Sequence, residues 1–315
     1  MQRGGLTHPV PATARPVASW IVRMCRNPVA PLVTAVVSPC DPIAMRAVVE
    51  AAAAGFIRPV LVGSRDRLAA AAAEAACDLA AFDVVDARDD EDAATRAVAE
   101  VVAGRAHALM KGSLHSDVLL RAVLRTTELR TSRRMSHCYV VALRHRDEPL
   151  ILSDTVMNVA PTLEEKADIV RNAIDLAVFL GLSGPRVAIL AATETVDARM
   201  PATIDAAALS KMAGRGQITG GIVDGPLALD DAISPRAAAA KGIVSPVAGR
   251  ANVLIVPELE AGNILAKELE FVAHAEVAGI VVGARIPIVL TSRAESVATR
   301  VASCALAAHY AARPG

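Results

Sequence analysis

Short apolar, β-branched runs alternate with capped helical stretches along most of the chain, and this alternation constrains the fold more than any other feature. Residues 32–37 (LVTAVV) form the first run. Asp41 and Pro42 then supply an N-cap and a first helical position, and Gly55 ends the helix. Strands are predicted over 59–62 and 107–110, with helices over 64–77, 89–103 and 115–125. A strand pair over 137–143 and 149–153 opens a second series. There Thr162-Leu-Glu-Glu165 forms a capping box, Ile169, Ala173, Ala177 and Leu180 follow at helical spacing, and Gly181 stops the helix. Strands over 187–190, 218–223 and 252–256 alternate with helices over 201–213, 230–241 and 260–272. Strands over 278–283 and 287–291 and a helix from 294 complete the pattern. This order predicts βαβ units and a mostly parallel sheet. About a dozen strands fit two sheets better than one, so the expected architecture is two α/β domains with a cleft between them. The segment before residue 29, rich in Pro, Thr and Arg, is expected to be a poorly ordered lead-in.

Composition narrows the function. Lys and Arg together number 33, as do Asp and Glu, so the net charge is zero and no basic surface for nucleic acid is indicated. Trp20, Tyr139, Tyr310 and four phenylalanines leave little for base stacking. Five cysteines with no C-x-x-C pair argue against a disulfide framework or a zinc site and predict a reduced, cytoplasmic enzyme. No apolar run reaches the length of a membrane span. The apolar content is mainly alanine with valine, leucine and isoleucine, which suits helices laid closely on a sheet.

Ligands of open α/β sheets bind beyond the carboxyl ends of the strands. Four predicted strand ends carry polar residues, at 110–117, 152–158, 223–226 and 290–293. Their cations and hydroxyls suit an anionic ligand. Ser292-Arg293-Ala294-Glu295 fits an S-x-x-E capping box. Ser292 is thereby expected to cap the last helix, and the free N–H groups there, with Arg293 beside them, are also a place for phosphate. In Lys111-Gly112-Ser113, the lysine is suited to phosphate and the glycine to close approach, though an ordinary strand–helix turn explains the triplet equally well. His115 and Asp117 stand where they cap the next helix, and Arg121 follows one turn later. The arginines at 130, 133 and 134 read as a solvated loop or as contacts to a polyanionic tail. No P-loop, G-x-S-x-G or H-E-x-x-H motif is present, and residues 214–220 have the wrong spacing for a dinucleotide loop.

Six segments occur together and in order: MKGSLHSD at 110–117, SDTVMNVAPTLEEKADI at 153–169, DGPLALDDAIS at 224–234, KGIVSPVAG at 241–249, VPELEAGNILAK at 256–267 and TSRAES at 291–296. With these segments, residues 30–312 resemble the phosphate acetyltransferase/phosphate butyryltransferase family. The resemblance is strongest to the phosphotransacetylase portion of bifunctional proteins that also carry an enoyl-CoA hydratase-like domain; no hydratase activity is expected here. It implies interconversion of acyl-CoA plus phosphate with acyl phosphate plus CoA. It implies no metal or resident cofactor, coenzyme A being substrate and product. It also implies two α/β/α three-layer domains similar to isocitrate and isopropylmalate dehydrogenases, here 29–148 plus 280–315 and 149–279. A homodimer or larger homo-oligomer and an acyl kinase as pathway partner follow from the same source.

The resemblance assigns Ser292 to the thioester oxygen and Arg293 to phosphate. Arg121 matches an arginine that binds phosphate or acyl phosphate, and Lys111, Gly112, Ser113, Ser153 and Asn158 are expected around the substrate. The acetyltransferase branch commonly carries an aspartate seven residues after the serine, but Thr299 stands there in this chain. Asp154 and Glu295 are the substitutes as proton acceptor. Two other readings remain open at this stage. One is a metal- and NAD-dependent hydroxy-acid dehydrogenase of similar fold, using Asp224, Asp230 and Asp231. The other is a non-catalytic relative that binds CoA or acyl phosphate.

Overall fold

The computed structural model describes residues 20–25, 30–143 and 146–312. Most of the expected lead-in lies outside them, but its end is structured. Helix α1 (Trp20–Met24) begins on the Glu276 carboxylate, which accepts from the backbone N–H groups of Trp20 and Ile21 at 2.9 and 2.8 Å. Ile21 and Cys25 are fully buried.

Strands and helices then follow in order: β1 (Leu32–Val37), α2 (Pro42–Ala53), β2 (Ile57–Gly63), α3 (Arg65–Glu74), β3 (Asp83–Asp86), α4 (Asp90–Val102), β4 (Ala108–Lys111), α5 (Ser116–Arg125), β5 (Ser136–Ala142), β6 (Leu150–Ser153) and α6 (Leu163–Phe179). The chain continues through β7 (Arg186–Leu190), α7 (Pro201–Gly214), β8 (Ile222–Leu227), α8 (Leu229–Ile233), α9 (Pro235–Ala240), β9 (Val253–Ile255), α10 (Leu259–Lys267), a π-helical turn (Glu268–Val272), β10 (Glu276–Val282), β11 (Ile288–Val289) and α11 (Val297–Ala311).

Among the described residues the strands join one sheet of 11, in place of the two expected, in the order β3-β2-β1-β4-β11-β10-β5-β6-β9-β7-β8. Its two flanks are parallel, as the alternation predicts. The joins β11–β10, β10–β5 and β5–β6 are antiparallel. These central pairings merge the two parallel series into one sheet. They also bring β10, β11 and α11 from the end of the chain back against β1, β4 and α2.

Local chemistry explains most of the elements. Asp41 accepts from the N–H groups of Ile43 and Ala44 at 2.9 Å, with Pro42 at the first helical position. The Thr162–Glu165 capping box is complete. Ala93, Ala94 and Ala97 of α4 and Ala302, Ala305 and Ala307 of α11 are buried, so small side chains set those helices close to the sheet.

Several expected boundaries shift for identifiable reasons. The expected helix 230–241 divides into α8 and α9. Ser234 precedes Pro235, which disfavours helical backbone, and instead caps α9 by accepting from the Ala237 N–H at 3.3 Å. β8 starts at Ile222, beyond the glycine pair 220–221, rather than at 218. β3 escaped the sequence pattern because DVVD is a short edge strand with no fully buried residue. The final helix starts at Val297, where Ser296 accepts from the Thr299 N–H at 3.1 Å. Ser292 therefore does not cap it.

Thr162→Ala should lower the unfolding free energy by about 1 kcal/mol. Chemical denaturation checks this, and an unchanged midpoint would show that the box carries no stability.

Candidate active site

The loop after β11 has a definite shape because one side chain holds it. Arg300, in the first turns of α11, is fully buried. Its guanidinium donates to Thr291 Oγ1 at 3.3 Å, the Ser292 carbonyl at 2.9 Å and the Glu295 carbonyl at 3.4 Å. This residue escaped the sequence reading; an arginine on the buried stripe of an alanine-rich helix was the available signal.

The loop forms one wall of a cleft of about 380 Å³. Lys111 and Leu114 at the end of β4, His137 and Tyr139 of β5, Thr155 and Val156 beyond β6, and Asn263, Ala266 and Lys267 of α10 complete it. The cleft thus lies at the middle of the sheet, where the carboxyl ends of β4 and β11 face α10.

Lys111 is buried, and its Nζ donates to the carbonyls of Leu114 at 3.0 Å and Gly112 at 3.3 Å. Burial, with Arg300 and Arg293 adding to it, pushes its ammonium down to about 8. Among the described residues, none of Lys111, Arg293 and Arg300 has an ion-pair partner. Glu295 is the sole carboxylate of the lining among the described residues, and burial raises it to about 7.

His137 is buried and neutral, its imidazole pushed down to about 3 by burial and by Lys267. Its Nδ1 lies 2.8 Å from Thr155 Oγ1, while Nε2 has no hydrogen-bond partner among the described residues. The ring lies over Gly279 of β10, where a Cβ would come within 2.7 Å of it. Tyr139 donates to Glu270 Oε2 at 2.9 Å, and Lys267 stands 3.7 Å from the same carboxylate. His137 and Tyr139 were missed because they sit in an otherwise apolar strand.

The structure brings Ser292, Arg293, Lys111 and Glu295 together and sets the other expected site residues outside the lining. Gly112 serves close packing: a Cβ there would lie 2.4 Å from the Ser38 carbonyl oxygen. Ser113 Oγ donates to that same oxygen at 2.7 Å and accepts from the Cys40 N–H at 3.0 Å, tying β4 to the end of β1. Ser153 is fully buried against Cys138. Asp154 does not line the cleft. Its carboxylate accepts from the N–H groups of Val156 and Met157 at 2.8 and 3.1 Å and from Asn158 Nδ2, so it shapes the turn that carries Thr155. Burial raises this carboxyl above the ordinary range. Asn158 bridges Asp154, Arg134 and the Met135 carbonyl. Arg121 pairs with Asp117 at 2.9 Å in a separate groove between α4 and α5.

The aspartates that a dehydrogenase reading requires are engaged otherwise. Asp231 pairs with Lys241 at 2.8 Å, Asp230 stands 3.8 Å from that lysine, and Asp224 accepts from Ser245.

The family model described as "Phosphate acetyl/butaryl transferase" matches residues 90–308. A phosphate acetyltransferase of Rhizobium meliloti is 55% identical over 285 residues, 90% of either chain.

The chain belongs to the phosphate acetyl/butyryl transferase family.

A phosphate butyryltransferase of Clostridium acetobutylicum is 41% identical over 269 residues, 85% of this chain and 89% of that one. Among solved structures, a branched-chain phosphotransacylase from Enterococcus faecalis V583 superposes with a TM-score of 0.78 at 29% identity, covering 90% of this chain and 100% of that one. A 4-hydroxythreonine-4-phosphate dehydrogenase from Klebsiella pneumoniae shares the fold at a TM-score of 0.54 and 15% identity, covering 90% and 100%. The expected kinship of a transferase sequence with a dehydrogenase-like fold is thus borne out, and the family membership does not favour the dehydrogenase or the non-catalytic reading.

Lys111 is a buried cation whose folded state loses its proton near pH 8, whereas a free lysine does so near 10.5. The cost of holding its charge is complete below pH 8 and fades as the pH rises to 10.5. Lys111→Met should therefore unfold at a higher temperature than the parent at pH 7, with the gain shrinking as the pH rises from 8 to 10.5. A lower unfolding temperature at pH 7 would contradict this.

Proposed function

We propose that the cleft carries out phosphate acyltransfer, interconverting acyl-CoA plus phosphate with acyl phosphate plus CoA. The observation that carries the site assignment is the gathering of Lys111, Arg293 and Arg300 around Ser292 without ion-pair partners among the described residues. Lys111 and Arg300 are buried cations without counter-ions among the described residues, and such cations favour an anionic ligand, because a bound phosphate supplies the charge the protein withholds.

The chemistry follows from that field. A phosphate oxygen attacks the thioester carbonyl carbon directly. Two anions must approach each other, and negative charge grows on the carbonyl oxygen. Arg293, on the open side of the cleft, holds phosphate oxygens through its planar fork. Lys111 places a positive charge on the cleft floor. Ser292 Oγ accepts from the Ala294 N–H at 3.4 Å, which leaves its own proton for the developing oxyanion. Holding both reactants beside these groups removes much of the entropic barrier to their meeting.

Coenzyme A enters as substrate and leaves as product, and the reading calls for no metal or resident cofactor. Leu114, Val156, Ala266 and Leu290 give the cleft an apolar side for a short acyl chain, acetyl or butyryl. We place the enzyme in the cytoplasm as a homodimer or larger homo-oligomer, with an acyl kinase taking up its acyl phosphate. We also propose that the walls of the cleft belong to two units, 29–148 with 280–315, and 149–279. Asp154, Asn158, Ser153, Gly112 and Ser113 support this reading as shapers of the cleft walls. A role for Arg121 with phosphate requires its groove to communicate with the cleft.

Phosphate-dependent release of CoA, measured over acetyl-, propionyl- and butyryl-CoA, tests the function. Release with at least one of them is expected, and none with any would overturn it. Ser292→Ala should lower kcat by about 10–10³-fold, and a variant with parental kinetics would remove Ser292 from the mechanism. Arg293→Ala should raise the phosphate KM by about 10-fold or more, the loss expected for one charged hydrogen bond. An unchanged phosphate KM and kcat would remove that role.

A further inference from the structure

Glu295 lies where two grooves meet. It lines the catalytic cleft, and together with Ala294 it also lines a second groove bounded by Ile43 and Arg46 of α2 and by Phe271 and His274 on the other side. Its backbone N–H donates to the Ser292 carbonyl at 3.2 Å, so it stands beside the serine proposed to hold the thioester oxygen. No ion pair involving it occurs among the described residues. The two grooves share Ala294 and Glu295, so a thiol placed in the second and a phosphate placed in the first would have this residue between them.

We propose that Glu295 is a catalytic residue that carries the proton between phosphate and the sulfur of CoA. The proposal rests on the acyltransferase reading above. In the direction of acyl phosphate, a phosphate oxygen bonds to the carbonyl carbon and the C–S bond breaks with its electron pair on sulfur. The proton of hydrogen phosphate reaches that sulfur by way of the Glu295 carboxylate. In reverse, the thiol gives its proton to Glu295 and sulfur bonds to the carbonyl carbon. The C–O bond then breaks with its pair on the departing phosphate, which takes the proton.

The surroundings suit a group that must both take and give a proton. Glu270 beside it favours the protonated form, while Lys267 and Arg300 favour the carboxylate. Lys111 and Tyr139 also feel its charge. Burial dominates, and it sets the group near pH 7, where a proton carrier works best at neutral pH. Asp154, by contrast, spends its oxygens on the turn after β6.

Steady-state kinetics of Glu295→Gln in the acyl phosphate plus CoA direction test the proposal. At pH 7, kcat should fall by about 100-fold, with the KM for acyl phosphate changed by less than about threefold. Between pH 6 and 7.5, where Lys111 keeps its charge, the variant's rate should then climb about tenfold per pH unit as the CoA thiol approaches its ionisation near 8.5, because a thiolate needs no acceptor. A kcat within about threefold of the parent, or a loss that does not recover with pH, overturns the proposal. Should Glu295→Gln fail to fold, the parent enzyme decides: its kcat/KM for CoA should rise through an ionisation near pH 7, and a profile that follows only the thiol overturns the role. A parent that never releases CoA in a phosphate-dependent manner overturns the acyltransferase reading instead, and an active parent with an unimpaired variant overturns the role of Glu295 alone.

Discussion

Arg300 places a guanidinium inside the protein and spends it on the backbone and hydroxyl of one loop. Burying a cation without a carboxylate partner is costly, and three hydrogen bonds recover only part of that cost. What the arrangement secures is geometry. Thr291, Ser292 and Glu295 are fixed relative to α11, and α11 is fixed against the sheet by its alanines. With the loop fixed, Ser292, Arg293 and Glu295 face Lys111 across a cleft whose charge is left open to an anion. The charge on Arg300 and Lys111, unpaired among the described residues, is thus both a liability of the fold and the source of the field that the chemistry requires.

The antiparallel centre of the sheet makes this meeting possible. A purely parallel sheet would place all its strand ends on one edge. Here β10 and β6 run against β5, so the chain after β6 and the chain after β11 both reach the middle of the molecule. The turn shaped by Asp154 and Asn158 presents Thr155 to His137, and α10 brings Lys267 and Asn263 over the same space. Residues far apart in sequence therefore share one cleft.

Much of this was legible in the sequence because it is local. Caps such as Asp41 and Thr162, the stop at Gly181 and the period of the apolar residues are written within a few residues of where they act. The pair Ser292–Arg293 was legible as a polar interruption after an apolar run. What escaped depends on partners distant in the chain. Ser292 and Ser296 both precede plausible helix starts, and only the packing of α11 decides that Ser296 is the cap. Asp154 and Arg121 carry the right chemistry for the site, but the backbone turns the first into a structural brace and pairs the second with Asp117 on another face. His137 and Arg300 are polar residues on buried stripes, and their use appears only when strand and helix neighbours are known. The single sheet likewise follows from β10 pairing with β5, a contact that no local pattern announces.

The chemistry of the cleft depends on phosphate binding there. A crystal structure of the protein grown with phosphate and CoA tests that directly. Phosphate should lie in the central cleft, against Arg293 and within reach of Lys111, with the CoA sulfur beside Ser292. Phosphate bound instead in the groove of Arg121 and Arg125, with the central cleft free of both ligands, would contradict catalysis in the central cleft.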